Sequence, residues 1–280
     1  MIRTRRRVKN TVMGCLVAGA AILAVAPLVL ILAFLLTQGA SAVNLDFFTH
    51  LPKPVGEPGG GMANAIVGSL VLLGLAACLG LPLGILGGIY LAGSQDPRLP
   101  TTVRFLADVL NGVPSIVIGI FAYTVVVLPM RRFSALAGGF ALAIIMLPIV
   151  LRTTEEMVRL VPASLHEAAL ALGLPEWKVV LRIVLPTARA GIITGAMVAV
   201  ARIAGETAPL LFTAFGNRFS YHGLDQPIAA LPLQIFAYAI SPYDDWHRQA
   251  WAGALVLIVL IFLATLVIRL ATRGRYQSAK

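Results

Sequence analysis

Of the 280 residues, 59% are hydrophobic and 12% are charged, about half the charged share of an ordinary soluble domain. Too little polar surface is left to cover a core of that length, which excludes a soluble globular protein and leaves an integral membrane protein. The 22 basic and 12 acidic residues give a net charge of +10, but the charge brackets apolar runs and forms no single face, which excludes a nucleic-acid binder.

A spanning helix takes about 20 mostly apolar residues, and six stretches qualify: 11–36, 63–91, 109–130, 134–151, 190–214 and 251–268. The expected fold is therefore all-α, a polytopic bundle of six transmembrane helices. Pro27, Pro82 and Pro148 fall inside the spans, where neighbouring helices can satisfy the freed carbonyls. The first stretch follows an arginine-rich start and precedes Ala40-Ser41-Ala42, as in a cleavable leader. Its apolar run exceeds the roughly 7–15 residues of a leader core, so it reads as a retained span. Cys15 and Cys78 lie inside spans at no metal spacing and read as buried, inert small hydrophobes.

The basic residues set the expected orientation. Sixteen Lys and Arg fall on the side of the two termini and of the 152–189 loop, against five on the other, which places both termini in the cytoplasm. The chain divides into residues 1–62 (tail, first span and external loop), a core over 63–268, and a tail over 269–280. Two external loops are expected, 37–62 with a flexible Gly/Pro-rich end, VGEPGGG, and 215–249. The apolar centre of the second is broken by Pro232 and is expected to dip into the membrane surface.

The chain contains no GxxxxGK[ST] and so no P-loop. His166-Glu167 begins a zinc-protease helix, but Leu170 stands where the second ligand is required. His50, His222 and His247 share no ligand spacing, and Ser115 is not in a GxSxG elbow. No enzyme, metal or cofactor is expected.

The 152–189 loop carries the sharpest local pattern, SLHEAALALGLPEWKVVLRIVLP from Ser164 to Pro186. Ser164 and Glu167 have capping-box spacing. Gly173 supplies a left-handed stop to the helix, and Pro175 forbids its continuation. A second helix is expected to bury Trp177, Val180, Leu181 and Val184 as one stripe. Glu167-Ala168-Ala169, Gly173 and Ile183-x-Leu185-Pro186 resemble the EAA loop of ABC-importer permeases. That resemblance implies the type I ABC-importer permease fold and a coupling helix, formed by Glu167, Ala168, Ala169 and Gly173, that docks on a cytoplasmic ATPase.

In the fifth span Arg202 is the one basic residue well inside any apolar stretch, and Glu206 follows four positions later. A charge at mid-bilayer costs about 2.5–3.5 kcal/mol on insertion scales, which makes it a functional candidate. Spacing on a helix would bring the two side chains together, either as an internal bridge or beside a substrate path. A guanidinium forks onto oxyanions such as phosphate or carboxylate. The run GETAPLLFTA, with PSIVIG at 114–119 and QPIAALPLQIFAYAISP, resembles the permeases of phosphate ABC importers, the A-type subunit closest. The resemblance implies Arg202, Glu206, Thr207 and Ser115 on the translocation path in a bacterial inner membrane. It also implies a second phosphate permease subunit, a dimeric ATP-binding subunit and an external phosphate-binding protein. A permease for sulfate or molybdate, a secondary transporter and a membrane enzyme acting on phosphorylated lipid are the other readings.

Overall fold

A computed structural model describes residues 2–54, 57, 59–94, 96 and 98–273. Gly56 and Pro58 of the VGEPGGG segment lie outside the described residues, as do Arg275 and Lys280 of the tail. The helices in chain order are α1 Ile2–Gly39, α2 Leu45–Thr49, α3 Ala63–Gly93, α4 Arg98–Gly112, α5 Ser115–Ala122 and α6 Leu128–Met130. There follow α7 Ala135–Arg159, α8 Ala163–Ala171, α9 Glu176–Val179, α10 Leu185–Ala204, α11 Ala208–Leu211, α12 Leu231–Ala239 and α13 Asp244–Arg273. π turns over Tyr123–Val127 and Val180–Val184 join α5 to α6 and α9 to α10.

Among the described residues, five helical stretches are long and apolar enough to cross a membrane, and six if α4 with α5–α6 counts as one span. That pair is not the continuous helix expected over 109–130, because the chain bends by 102° between Gly112 and Ser115. Pro114 lacks an amide and disfavours helix at the residue before it, so the bend falls there. The fourth span also departs from expectation. Ser134 caps α7 by accepting from the Ala137 amide at 3.1 Å, and the helix continues to Arg159, so the loop expected at 152–189 opens as helix.

The centre of the bundle is the pair α3 and α7, which run parallel. Gly80, Gly84 and Gly88 recur at every fourth position and lie against Met146, Val150 and Thr154 in turn. A Cβ at position 88 would come within 2.6 Å of the Thr154 side chain. In lipid no hydrophobic effect draws helices together, so close backbone approach through small residues is the main source of attraction. The helix α10 packs antiparallel on α7, with Gly191 against Met157 and Gly195 against Thr153. By contrast, α1 exposes nearly all its described side chains and meets the bundle at its last turns. There Gly39 touches the Trp251 backbone, and Phe34 meets the Trp251 ring edge-on at 5.0 Å. Cys15 and Cys78 are exposed on outward faces, not buried as expected.

One end of the bundle gathers residues 44–54, 59–63, 131–136 and 213–249, here the loop end. Asn64 Nδ2 donates to the Asn217 carbonyl at 2.6 Å, and the Leu231 amide donates to Ser69 Oγ at 2.7 Å. Pro232 does not break the apolar run. It sits in the first turn of α12, where a missing N–H costs nothing. Ile228, Ala229, Ala230 and Leu231 are buried, with the Ala229 carbonyl against Gly68 of α3, so the start of this segment packs against the bundle. The other end, here the hairpin end, holds α4, the end of α7, and α8–α9.

Candidate transport site

At the hairpin end the turn is built as the glycine demands. Gly173 has φ +80°, its amide donates to Leu170 at 2.8 Å, and the Leu174 amide donates to Ala169 at 3.3 Å. This is the Schellman pattern that closes a helix. The start differs from the capping box expected at Ser164. Pro162 is the N-cap and α8 begins at Ala163, with no side-chain cap, so the helix starts before Ser164, which already lies inside its first turn. Ala169 is buried against Val179 and Val184 and holds the hairpin together, while Glu167, Ala168 and Gly173 are exposed. The predicted apolar stripe is also rotated. Trp177 and Leu181 are 61% and 55% exposed, because the π turn over Val180–Val184 adds a residue and shifts the phase of the face.

The fifth span runs from Glu176 to Ala204 and does not reach residue 214. Gly205 ends α10, and Pro209 within α11 cannot donate to the carbonyl of residue 205, which leaves Gly205–Thr207 as a non-helical break. Arg202 therefore stands in the last turn of α10 and Glu206 stands beyond it. The expected four-residue pairing does not form: no ion pair joins Arg202 to Glu206 or to any other described residue. Arg202 is exposed and continues the outward stripe of Thr194 and Val198, while Glu206 and Thr207 are half-buried. The structure does bring the two sequence motifs together. Gly119 of α5 lies against Pro209, where a Cβ would meet the proline Cα at 2.6 Å. Ser115, half-buried, opens α5 directly after the bend, one turn from that contact.

A second charged group escaped the sequence reading. Glu155 of α7 is 1% exposed and accepts from Arg104 Nε of α4 at 2.7 Å. Arg104 Nη2 is 2.5 Å from the same carboxylate oxygen, Arg159 reaches it at 3.3 Å, and Arg152 reaches the other oxygen at 3.4 Å. Arg152 also faces Asp108 at 3.5 Å and Glu156 at 3.8 Å. Three arginines thus share a buried carboxylate, tying the amphipathic α4 to the end of α7 just before the α8–α9 hairpin. The hydrogen bond to Glu155 raises the Arg104 pKa, against the opposing pull of burial. The signal was present locally, in Arg152 and Arg159 three before and four after Glu155.

Residues 84–275 match the family described as binding-protein-dependent transport system inner membrane component. The chain belongs to this family. It is 45% identical over 265 residues to the phosphate transport system permease protein PstA of Yersinia pestis, covering 94% of this chain and 90% of that one. The PstA protein of Xylella fastidiosa is 48% identical over 234 residues, 83% of this chain and 81% of its own. Among solved structures, an inward-facing MetNI methionine ABC transporter shares the fold with a TM-score of 0.58 at 18% identity, over 76% of this chain and 94% of that one. An amino acid ABC transporter with histidines aligns with a TM-score of 0.51 at 17% identity, over 78% of this chain and 92% of that one. The protein is thus a multi-span membrane component of an ABC importer, with the type I permease fold.

Proposed function

We propose that this chain is one of two permease subunits of an ATP-driven phosphate importer and supplies half of its translocation path. The reading is carried by Arg202, a cation with no counter-ion among the described residues, on the outward stripe of a helix that breaks at Gly205, in a chain whose relatives are named for phosphate transport. A path between two subunits calls for such a residue on the surface of each half, where a planar guanidinium forks onto an oxyanion. Glu206 and Thr207 in the break, and Ser115 beside the bend, offer polar groups along the same path. The second permease subunit contributes further positive groups, since one arginine near a glutamate is a poor match for one to two negative charges.

The hairpin end faces the cytoplasm, as do both termini, and the excess of Lys and Arg there supports this. Glu167 and Ala168 form the face that a dimeric ATP-binding subunit grips, and Gly173 sets its angle. An external binding protein delivers phosphate to the loop end. The chain acts as a transport subunit, with hydrolysis on its partner. Residues 63–268 form the core, and residues 1–62 attach through α1 and α13. The test is phosphate uptake in a strain lacking this chain, complemented with it in the presence and absence of the ATPase subunit. Uptake that needs both supports the reading, and uptake that persists without the chain removes it.

A further inference from the structure

A second arginine at the loop end has no place in the path so far described. Arg218 lines a cavity of about 340 Å³ next to α11, with Gln234 and Tyr238 of α12. Its guanidinium carbon lies 5.3 Å from the centre of the Trp246 ring, and Trp246 is stacked on buried Tyr238 at 4.5 Å. An aromatic face holds a guanidinium in place without neutralising it, and leaves the in-plane N–H groups for a ligand. Two carboxylates of the same region are engaged elsewhere, Asp225 with Arg132 at 2.9 Å and Asp245 with Arg248, while Asp244 makes no ion pair with a described residue. Arg218 makes no ion pair with any described residue.

The backbone that presents Arg218 is tightly specified. Phe215 and Gly216 are both left-handed, at φ +61° and +85°, and Phe215 is fixed by stacking on Phe133 at 4.5 Å. Asn217 is anchored from both sides, its amide donating to the Pro227 carbonyl at 3.2 Å and its carbonyl accepting from Asn64. Burial raises the Tyr238 pKa, opposed by a hydrogen bond with Gln234 and by the positive charge of Arg218.

We propose that this cavity is a receiving site for an inorganic oxyanion at the loop end, with Arg218 as its fork and Gln234 as a neutral donor, ahead of Arg202 along the path. The proposal rests on the reading of the chain as half of an oxyanion path, and extends it to a site outside the apolar spans.

The test uses the whole importer with Cys15 and Cys78 replaced by serine and Ala237, which lines the cavity, replaced by cysteine. Labelling of position 237 by an anionic thiol reagent is timed with and without inorganic phosphate, chloride holding the ionic strength constant. Phosphate is expected to slow labelling about tenfold when Arg218 is present and not in Arg218→Gln. No protection in the parent by either phosphate or sulfate, or equal protection in Arg218→Gln, overturns the site. If the glutamine variant does not assemble, Arg218→Lys takes its place. It retains charge without the fork, so weakened protection supports the site and undiminished protection overturns it. Protection by sulfate and not by phosphate would keep the oxyanion site and refute the phosphate assignment, which separates the two claims.

Discussion

Two groups of arginines in the molecule are handled in opposite ways. At the hairpin end, Arg104, Arg152 and Arg159 converge on one carboxylate that is 1% exposed, and further acids, Asp108 and Glu156, surround Arg152. Toward the loop end, Arg202 and Arg218 have no carboxylate within ion-pair distance among the described residues. A buried carboxylate requires partners, whereas Arg202 and Arg218 are exposed and stand without a carboxylate at little cost in the isolated chain. The difference separates charge that holds helices together from charge kept free for a ligand. It predicts that the first kind governs assembly and the second governs transport.

The largest effect should follow Glu155→Ala. Removing the shared acceptor leaves three arginines facing one another, and breaking a buried pair costs about 3–5 kcal/mol. The partial exposure of the arginines moves the expected loss to about 3 kcal/mol, the low end of that range. The yield of assembled complex and its thermal midpoint in detergent should both fall, and unchanged values would break the comparison at its structural end.

Gly173→Val should rank next, because a β-branched residue at φ +80° costs about 1–2 kcal/mol. Nothing lies within 4 Å of a Cβ there, so the penalty is purely conformational and confined to the turn. Co-purification of the ATPase should drop while the chain still reaches the membrane. Full co-purification would remove the hairpin from the coupling role.

Ser164→Ala should do almost nothing. A lost N-cap costs about 1 kcal/mol, but Ser164 makes no cap here. A stability loss of that size would show that the helix starts at Ser164 after all.

How far these features could be read from the sequence varies with how local their causes are. The turn at Gly173 and the existence of the apolar spans, though not the bounds of the third, fourth and fifth, follow from single residues and their neighbours, and they were legible. The position of Trp177 was not, because a π turn changes the helical phase and has no distinctive residue to announce it. The break after Ala204 could have been read from Gly205 and Pro209, yet hydropathy carries the apolar run straight through it. The glycines at 80, 84 and 88 advertised a close contact without naming the partner. The Glu155 cluster depends on Arg104, 51 residues away, a tertiary pairing that periodicity cannot supply. Arg202 and Glu206 show the reverse case, since a spacing that favours an i, i+4 pair is undone where the helix ends between them.

The central claim is that Arg202, without a counter-ion among the described residues, serves transport and not architecture. It is tested most directly by phosphate uptake with Arg202→Gln, in membranes where the assembled importer has been quantified. The account predicts wild-type assembly, a thermal midpoint changed by no more than the equivalent of about 0.5 kcal/mol as for a surface site, and uptake reduced to background. Arg202→Lys should assemble equally well and transport poorly, because the charge remains and the fork is lost. Wild-type uptake by Arg202→Gln, or a loss of uptake matched by an equal loss of assembled complex, would contradict the account.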